Sequence, residues 1–233
     1  MRVAIVNDSA LATEALRRVV RSVPGAEVSW TAADGSEAVS KAAADLPDAI
    51  LMDLIMPRMD GVEATRHIMA TSPCPILVVT ATVSGHMDRV YEAMGHGALD
   101  AVNTPTLGAG GLVAGGDELV RKLMQIAALT GMSSTDSGSS PRSAASPDGP
   151  PRNGSSAEAL PPLVALGAST GGPKAVSEVL ETLPADWPVA VVVVQHIDSS
   201  FAPGLIKWLG DHSPLPVRMI QSGDRPSAGV VHV

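Results

Sequence analysis

At 233 residues the chain has room for one large domain or two modest ones, and 45% hydrophobic content is enough for ordinary cores. Aromatics make up only 2%, so those cores must be built from Val, Leu, Ile, Ala and Met. A net charge of −8 excludes a protein whose main task is gripping nucleic acid, because neutralising phosphates takes clustered Lys and Arg.

Other features bound the compartment. The single cysteine, Cys74 in "SPCPI", cannot form an internal disulfide and reads as a loop thiol or minor packing residue. The opening "MRVAIVNDSA" is broken by Asn7 and Asp8 and is no signal peptide. The longest apolar run, "VAVVVV" at 189–194, has the length of a strand, far short of the ~20 residues of a membrane span. A cytoplasmic protein without membrane insertion is expected.

In chain order, "VAIV" (3–6) is a strand ending in Asn7 and Asp8. Leu11, Ala15, Leu16, Val19 and Val20 then recur at helical spacing up to Gly25. "VSWTA" (28–32) reads as a strand and the Ala-rich "SEAVSKAAADL" (36–46) as a helix. "AILMDL" (49–54) is a buried strand that carries Asp53 near its end, and "VEATRHIMA" (62–70) is helical. "ILVVT" (76–80) is a strand closing on Thr80, and "MDRVYEAMG" (87–95) a helix stopped by glycine. "ALDAV" (98–102) and "DELVRKLMQIAAL" (117–129) complete the series. Five strand-then-helix units imply a doubly wound parallel α/β sheet.

Residues 133–159 contain no Val, Ile, Leu, Met or aromatic and cannot bury enough apolar surface to offset ordering. The chain therefore divides into a first domain at 1–130, a flexible linker at 131–160 and a second piece at 161–233.

Asp8, Asp53 and Thr80 each close a strand at the edge where ligands bind in such sheets. Two carboxylates there suit Mg²⁺, and a carboxylate beside that ion can attack a phosphoryl group. Either acid alone is better explained as a helix-capping turn residue. With "MPRMDG" (56–61) directly behind Asp53, residues 1–130 resemble the receiver domain of two-component response regulators. The resemblance implies Asp53 as phosphoacceptor, Asp8, Asp53 and the Ile55 carbonyl as Mg²⁺ ligands, and Thr80 as the switch hydroxyl. Two departures stand out: Asn7 replaces one member of the usual acidic pair, and Thr104 in "DAVNTPTLG" replaces the usual Lys before Pro. The first should weaken Mg²⁺ binding, and the second removes a point charge that pairs with the phosphoryl group.

"LVALGASTGGPKAV" (163–176) is a strand, a Gly-rich turn and a helix start. It fails the phosphate-loop pattern, because Pro173 separates Gly172 from Lys174 and no hydroxyl follows. It fits G-x-S-x-G, which sets Ser169 on a tight turn with helix-start N–H groups near it. The next strand, "VAVVVVQHI" (189–197), delivers His196 to the same edge if the two strands are parallel neighbours, where it could serve as general base.

The combination "LVALGASTGGP…VVVVQHI", behind a receiver and a linker, resembles the CheB-type protein-glutamate methylesterases. "VNDSALATEALRRV", "VTATVS" and "AMGHGALDAVNTP" look like the Wsp-type surface-sensing subgroup. The resemblance implies Ser169 as nucleophile, His196 as base, and Thr170 and Gly171 lining the turn and oxyanion site. It implies methylated chemoreceptor-like proteins as substrates, glutamine deamidation beside ester hydrolysis, a sensor histidine kinase as partner, and no cofactor for the esterase. The family's third triad residue, a carboxylate, lies well downstream of the His. Asp198, Asp211 and Asp224 have no matching context, so the chain is expected to stop inside the methylesterase domain, at "AGVVHV" (228–233), with little esterase activity of its own. The alternative is a receiver that works by docking alone, with a non-catalytic C-terminal remnant.

Overall fold

All five expected strand–helix units are present in a computed structural model of the chain, which describes residues 1–81, 87–108, 112–131 and 161–233. The first sheet contains β1 (Arg2–Val6), β2 (Glu27–Ala32), β3 (Ala49–Met52), β4 (Ile76–Thr80) and β5 (Asp100–Asn103), all parallel, in the order β2-β1-β3-β4-β5. β1, β3 and β4 are buried along almost their whole length, which is why they read as continuous apolar runs rather than alternating ones. The intervening helices are α1 (Ala10–Ser22), α2 (Gly35–Ala44), α3 (Gly61–Thr71), α4 (Met87–Gly95) and α5 (Asp117–Leu129).

Three helices start on side-chain caps. Ser9, Asp34 and Asp60 accept from the amides of Ala12, Glu37 and Glu63 at 3.4, 3.0 and 2.9 Å. Glu37 also reaches back to the Ala33 amide at 2.9 Å, which closes a capping box. The strand periodicity did not announce a two-stranded antiparallel ribbon between β5 and α5, formed by β6 (Thr106–Leu107) and β7 (Val113–Ala114).

The second piece builds a four-stranded parallel sheet in the order β10-β11-β9-β8. It comprises β8 (Leu163–Ala168), α6 (Gly172–Glu181), β9 (Ala190–Gln195), α7 (Ala202–His212), β10 (Val217–Arg218) and β11 (Val231–His232). One apolar cluster runs from the α3–α4 side of the receiver, through Tyr91 and Met94, into Val176, Leu180, Phe201, Leu205 and Leu209. Cys74 is buried at its margin, where desolvation pushes its thiol up to about 11, so it is an inert packing residue. The linker expected at 131–160 lies, apart from Gly131, outside the described residues. Among the described residues no helix is long and apolar enough to cross a membrane.

Candidate functional site

The acidic site forms at the C-terminal ends of β1, β3 and β4. Asp8 is exposed, Asp53 is half-buried and Thr80 is buried. The Asn7 side chain donates its Nδ2 to Asp53 Oδ2 at 3.0 Å, and the Ile55 backbone amide approaches Oδ1 at 3.3 Å. Asn7 therefore replaces the missing acid with a donor aimed at the candidate phosphoacceptor. The donor set is hard oxygen: two carboxylates at one sheet edge and the carbonyl of the exposed Ile55. Mg²⁺ binds through one or two carboxylates and keeps several waters, so these groups fit that ion, with one anionic ligand fewer than an acidic pair would give. Thr104 follows the strand pair Thr80–Asn103, and its amide donates to the Thr80 carbonyl at 3.0 Å, so no cation stands at that position.

The glycine of "MPRMDG" has a steric cause. A Cβ on Gly61 would lie 2.8 Å from the Asp53 carbonyl carbon and 2.9 Å from Leu54 Cα, and closer still to the Asp53 carbonyl oxygen. The Gly61 amide donates to the Leu54 carbonyl at 3.1 Å. The start of α3 is thereby pressed against the backbone that carries Asp53.

The second constellation lies at the C-terminal rim of the other sheet. β8 and β9 pair in parallel, with Ala168 opposite Gln195. Ser169 and His196 are the next residues on each strand, and the His196 amide donates to the Ala168 carbonyl at 3.1 Å. Both therefore leave the sheet at one rim. Gly171 adopts φ +78°, a left-handed conformation that glycine takes without strain, and this turns the chain into α6 with Pro173 in the first turn.

Gln195, the last residue of β9, holds this elbow. Its Nε2 donates to the Ser169 carbonyl at 2.9 Å, and that carbonyl also accepts from the Gly172 amide at 2.7 Å. The Gln195 side chain fills the space where Gly172 would carry a Cβ. A polar residue at the end of an otherwise apolar β9 was the available signal.

The three downstream acids are occupied away from His196. Asp198 caps a short 3-10 turn, where the Ser200 hydroxyl and amide hold its carboxyl below the ordinary range. Asp224 accepts from the Gln221 amide at 2.8 Å, and Asp211 lines a cavity between α4 and α7.

The receiver lies directly on this rim. The Thr170 hydroxyl donates to Gln125 Oε1 at 2.9 Å, and the Gly171 amide donates to the Leu99 carbonyl at 2.7 Å. Arg121 Nη1 lies 3.0 Å from His196 Nδ1 and 3.2 Å from Nε2. Ser169 faces a cavity of about 320 Å³ walled on the receiver side by Gln125, Ala128 and Leu129 of α5 and its end. Farther out, Tyr91 stacks on Trp208 with ring centroids 5.7 Å apart and donates its hydroxyl to the Phe201 carbonyl at 2.8 Å. A Cβ on Gly204 would come within 2.7 Å of the Tyr91 ring, so that glycine sets how closely α7 approaches α4.

Comparison with known proteins agrees with both halves. The response regulator receiver domain family matches residues 3–108 and the CheB methylesterase family residues 164–233. A protein-glutamate methylesterase/protein-glutamine glutaminase of Burkholderia thailandensis is 50% identical over 232 residues, covering 99% of this chain and 65% of that protein. Its counterpart in Bordetella avium is 50% identical over 231 residues, covering 99% and 64%. The response regulator domain of Thermotoga maritima CheB is 32% identical, covering 54% of this chain and 91% of that domain, with a TM-score of 0.45. The chain spans about 65% of the length of these curated relatives. The agreement of both domain families, in this order, with near-50% identity along the whole chain establishes that it belongs to the CheB-type methylesterase response regulators.

Proposed function

We propose that this chain serves a phosphorylation-regulated protein-glutamate methylesterase that hydrolyses glutamate methyl esters on chemoreceptor-like proteins and deamidates their glutamines. The observation that carries the reading is the shared rim: Ser169 and His196 are successive exits of paired parallel strands, on an elbow built by Gly171, Gly172 and Gln195. In this reading His196 takes the Ser169 proton as the Ser169 oxygen attacks the ester carbonyl. Amides at the start of α6, Thr170 and Gly171 among them, stabilise the oxyanion. Return of the proton to the departing methoxide releases methanol, and water then cleaves the acyl-serine to free glutamate. Deamidation runs through the same steps with ammonia leaving.

Control would come from Asp53. Its carboxylate would attack a phosphoryl group supplied by a sensor histidine kinase, forming the new P–O bond as the bond from phosphorus to the kinase's histidine nitrogen breaks and the free histidine leaves; Asp8, Asp53 and the Ile55 carbonyl would hold Mg²⁺ there. The ion's contribution is to neutralise charge on the transferring phosphoryl group. The Thr80 hydroxyl then hydrogen-bonds the new phosphate. With Thr104 in place of a cation, the phosphorylated state is held less firmly than in a receiver with Lys there. The docked arrangement, with α5 over Ser169, is the restrained state, and phosphorylation shifts the population away from it.

The test measures methanol release from methylated receptor protein by the full-length enzyme, with and without a small phosphodonor. Ser169→Ala and His196→Ala should each abolish release, and Asp53→Asn should abolish its stimulation. Release unaffected by Ser169→Ala would leave only a docking role for the second piece and refute the hydrolase reading.

A further inference from the structure

Residues 169–172 form a β-turn. The Gly172 amide donates to the Ser169 carbonyl at 2.7 Å, and Gly171, in the third position, has φ +78° and ψ −3°. Thr170, in the second position, does not have a positive φ, so the turn is type II. A type I turn over the same residues would turn the central peptide over and put the Thr170 carbonyl where the Gly171 N–H now points. That N–H points away from its own sheet and reaches the Leu99 carbonyl at 2.7 Å. An oxyanion needs a donor of this kind, and the flipped turn would meet it with an acceptor. Gly171 thus fixes which end of the central peptide faces outward. Something else must fix where the turn as a whole points.

That second task falls to Gln195. Its Nε2 donates at 2.9 Å to the Ser169 carbonyl, the same atom that closes the turn. The side-chain amide cannot be reversed, because its oxygen would then face the carbonyl oxygen. The other atom, Oε1, is buried against Gly172 and has no hydrogen-bond partner among the described residues. A buried acceptor left in that state is a cost, which an apolar side chain of the same length would avoid. The Ser169 carbonyl would still keep its Gly172 donor, so stability alone does not call for glutamine here. Gln195 also directly precedes His196, whose amide donates to the Ala168 carbonyl at 3.1 Å. The exits of β8 and β9 are therefore tied twice, Ala168 to His196 through the backbone and Ser169 to Gln195 through a side chain. The cavity in front of Ser169 is lined by Gln125, Ala128, Leu129, Ser169 and Thr170, and Gln195 lies behind it.

Building on the hydrolase reading, we infer that Gln195 is a positioning residue for ester hydrolysis: by pinning the Ser169 carbonyl it aims the type II turn, and with it the nucleophile and the outward Gly171 N–H, in step with His196. It acts through the turn and touches no reacting atom.

The test uses the full-length enzyme with a small phosphodonor and reads methanol release from methylated receptor protein, beside thermal melting by circular dichroism. Gln195→Met keeps the side chain's length and removes both the donor and the orphaned acceptor. It should lower kcat about a hundredfold, as a misplacement of about 1 Å does, with KM unchanged and Tm equal to the parent's or higher. Gly172→Ala is the second variant. Its methyl would lie 3.0 Å from Gln195 Cδ and 2.7 Å from Ala168 Cβ, so it pushes the glutamine off the turn without changing residue 195. It should show the same fall in kcat at unchanged KM, with faster hydrogen exchange at the Gly172 amide. Parental kcat in Gln195→Met would overturn the inference. So would a raised KM at parental kcat, which would assign Gln195 to substrate binding, or a kcat loss that only follows a fall in Tm in both variants, which would make the residue merely structural. Ser169→Ala separates the two readings. If it leaves methanol release intact, the hydrolase reading fails; if it abolishes release while Gln195→Met keeps the parental kcat, only the positioning role falls.

Discussion

Replacing Gly61 by Ala tests how the candidate phosphoacceptor Asp53 is seated. Gly61 does not need glycine for its backbone conformation, since its φ is not positive, so the effect is purely steric. The new methyl would sit 2.8 Å from the Asp53 carbonyl carbon and 2.9 Å from Leu54 Cα, against backbone that no rotamer change can clear. The Asp53 segment must retreat by about 1 Å, or α3 must lift and lose its Gly61–Leu54 hydrogen bond. Overpacking of this kind costs ~1–3 kcal/mol, and the rigid backbone places it near the upper end. Alanine in place of glycine at a helical position recovers ~0.5–1 kcal/mol. A net loss of about 2 kcal/mol follows, which lowers Tm by roughly 4–8 °C in a chain of this size. Thermal melting by circular dichroism measures the first part. Labelled phosphate uptake from a small phosphodonor measures the second, and it should fall because Asp53 is displaced from Asp8 and Thr80. A variant that melts with the parent and takes up phosphate at the same rate would show that the loop yields freely and that the glycine has no steric cause.

Asp34, capping α2 and paired with Arg58, is held down to about 2, chiefly by the Glu37 amide and then by the guanidinium. A carboxyl lowered in the folded state contributes stability that is complete above its unfolded value near 4 and disappears as pH falls toward 2; urea midpoints should drop across that window, and less so in Asp34→Asn. Lys122→Met strands the buried Asp100 carboxylate, so about 3–5 kcal/mol should be lost at neutral pH in denaturant titrations. Burial already raises the Asp100 carboxyl against the pull of Lys122, so without the lysine the folded state binds a proton more readily than the unfolded, and the deficit should shrink as pH is lowered toward 4. Tyr91 is the only tyrosine, and burial raises its phenol well above the ordinary value. Its ultraviolet titration should therefore run late, stability should decline as pH climbs past 10, and Gly204→Val, which wedges α7 from the Tyr91 ring, should bring the titration back toward 10. Thr104→Lys should lengthen the lifetime of phosphate on Asp53, measured by its release.

The parallel sheet was legible because β1, β3 and β4 are buried on both faces and so read as unbroken apolar runs. That Ser169 and His196 leave the sheet at one rim followed from parallel pairing of β8 and β9, and the register has that pairing. The β6–β7 ribbon was not legible, since two-residue strands carry no periodicity. The receiver's grip on the rim was also hidden, because Arg121 and His196 lie far apart in sequence and nothing local connects them. One clue was present and unread. Leu119, Leu123 and Ile126 form the buried stripe of α5, and Lys122 falls inside it. A lysine on an apolar face calls for a buried acid, and Asp100, in the middle of the apolar "ALDAV", was the matching oddity.

The apolar cluster that runs unbroken from the receiver into α6 and α7 bears on how the molecule melts. Two units joined only by a tether would come apart at separate temperatures. Here Tyr91, Phe201 and Leu205 belong to a common interior, so heating should give a single calorimetric peak, and any treatment that pries α4 from α7 should split it in two.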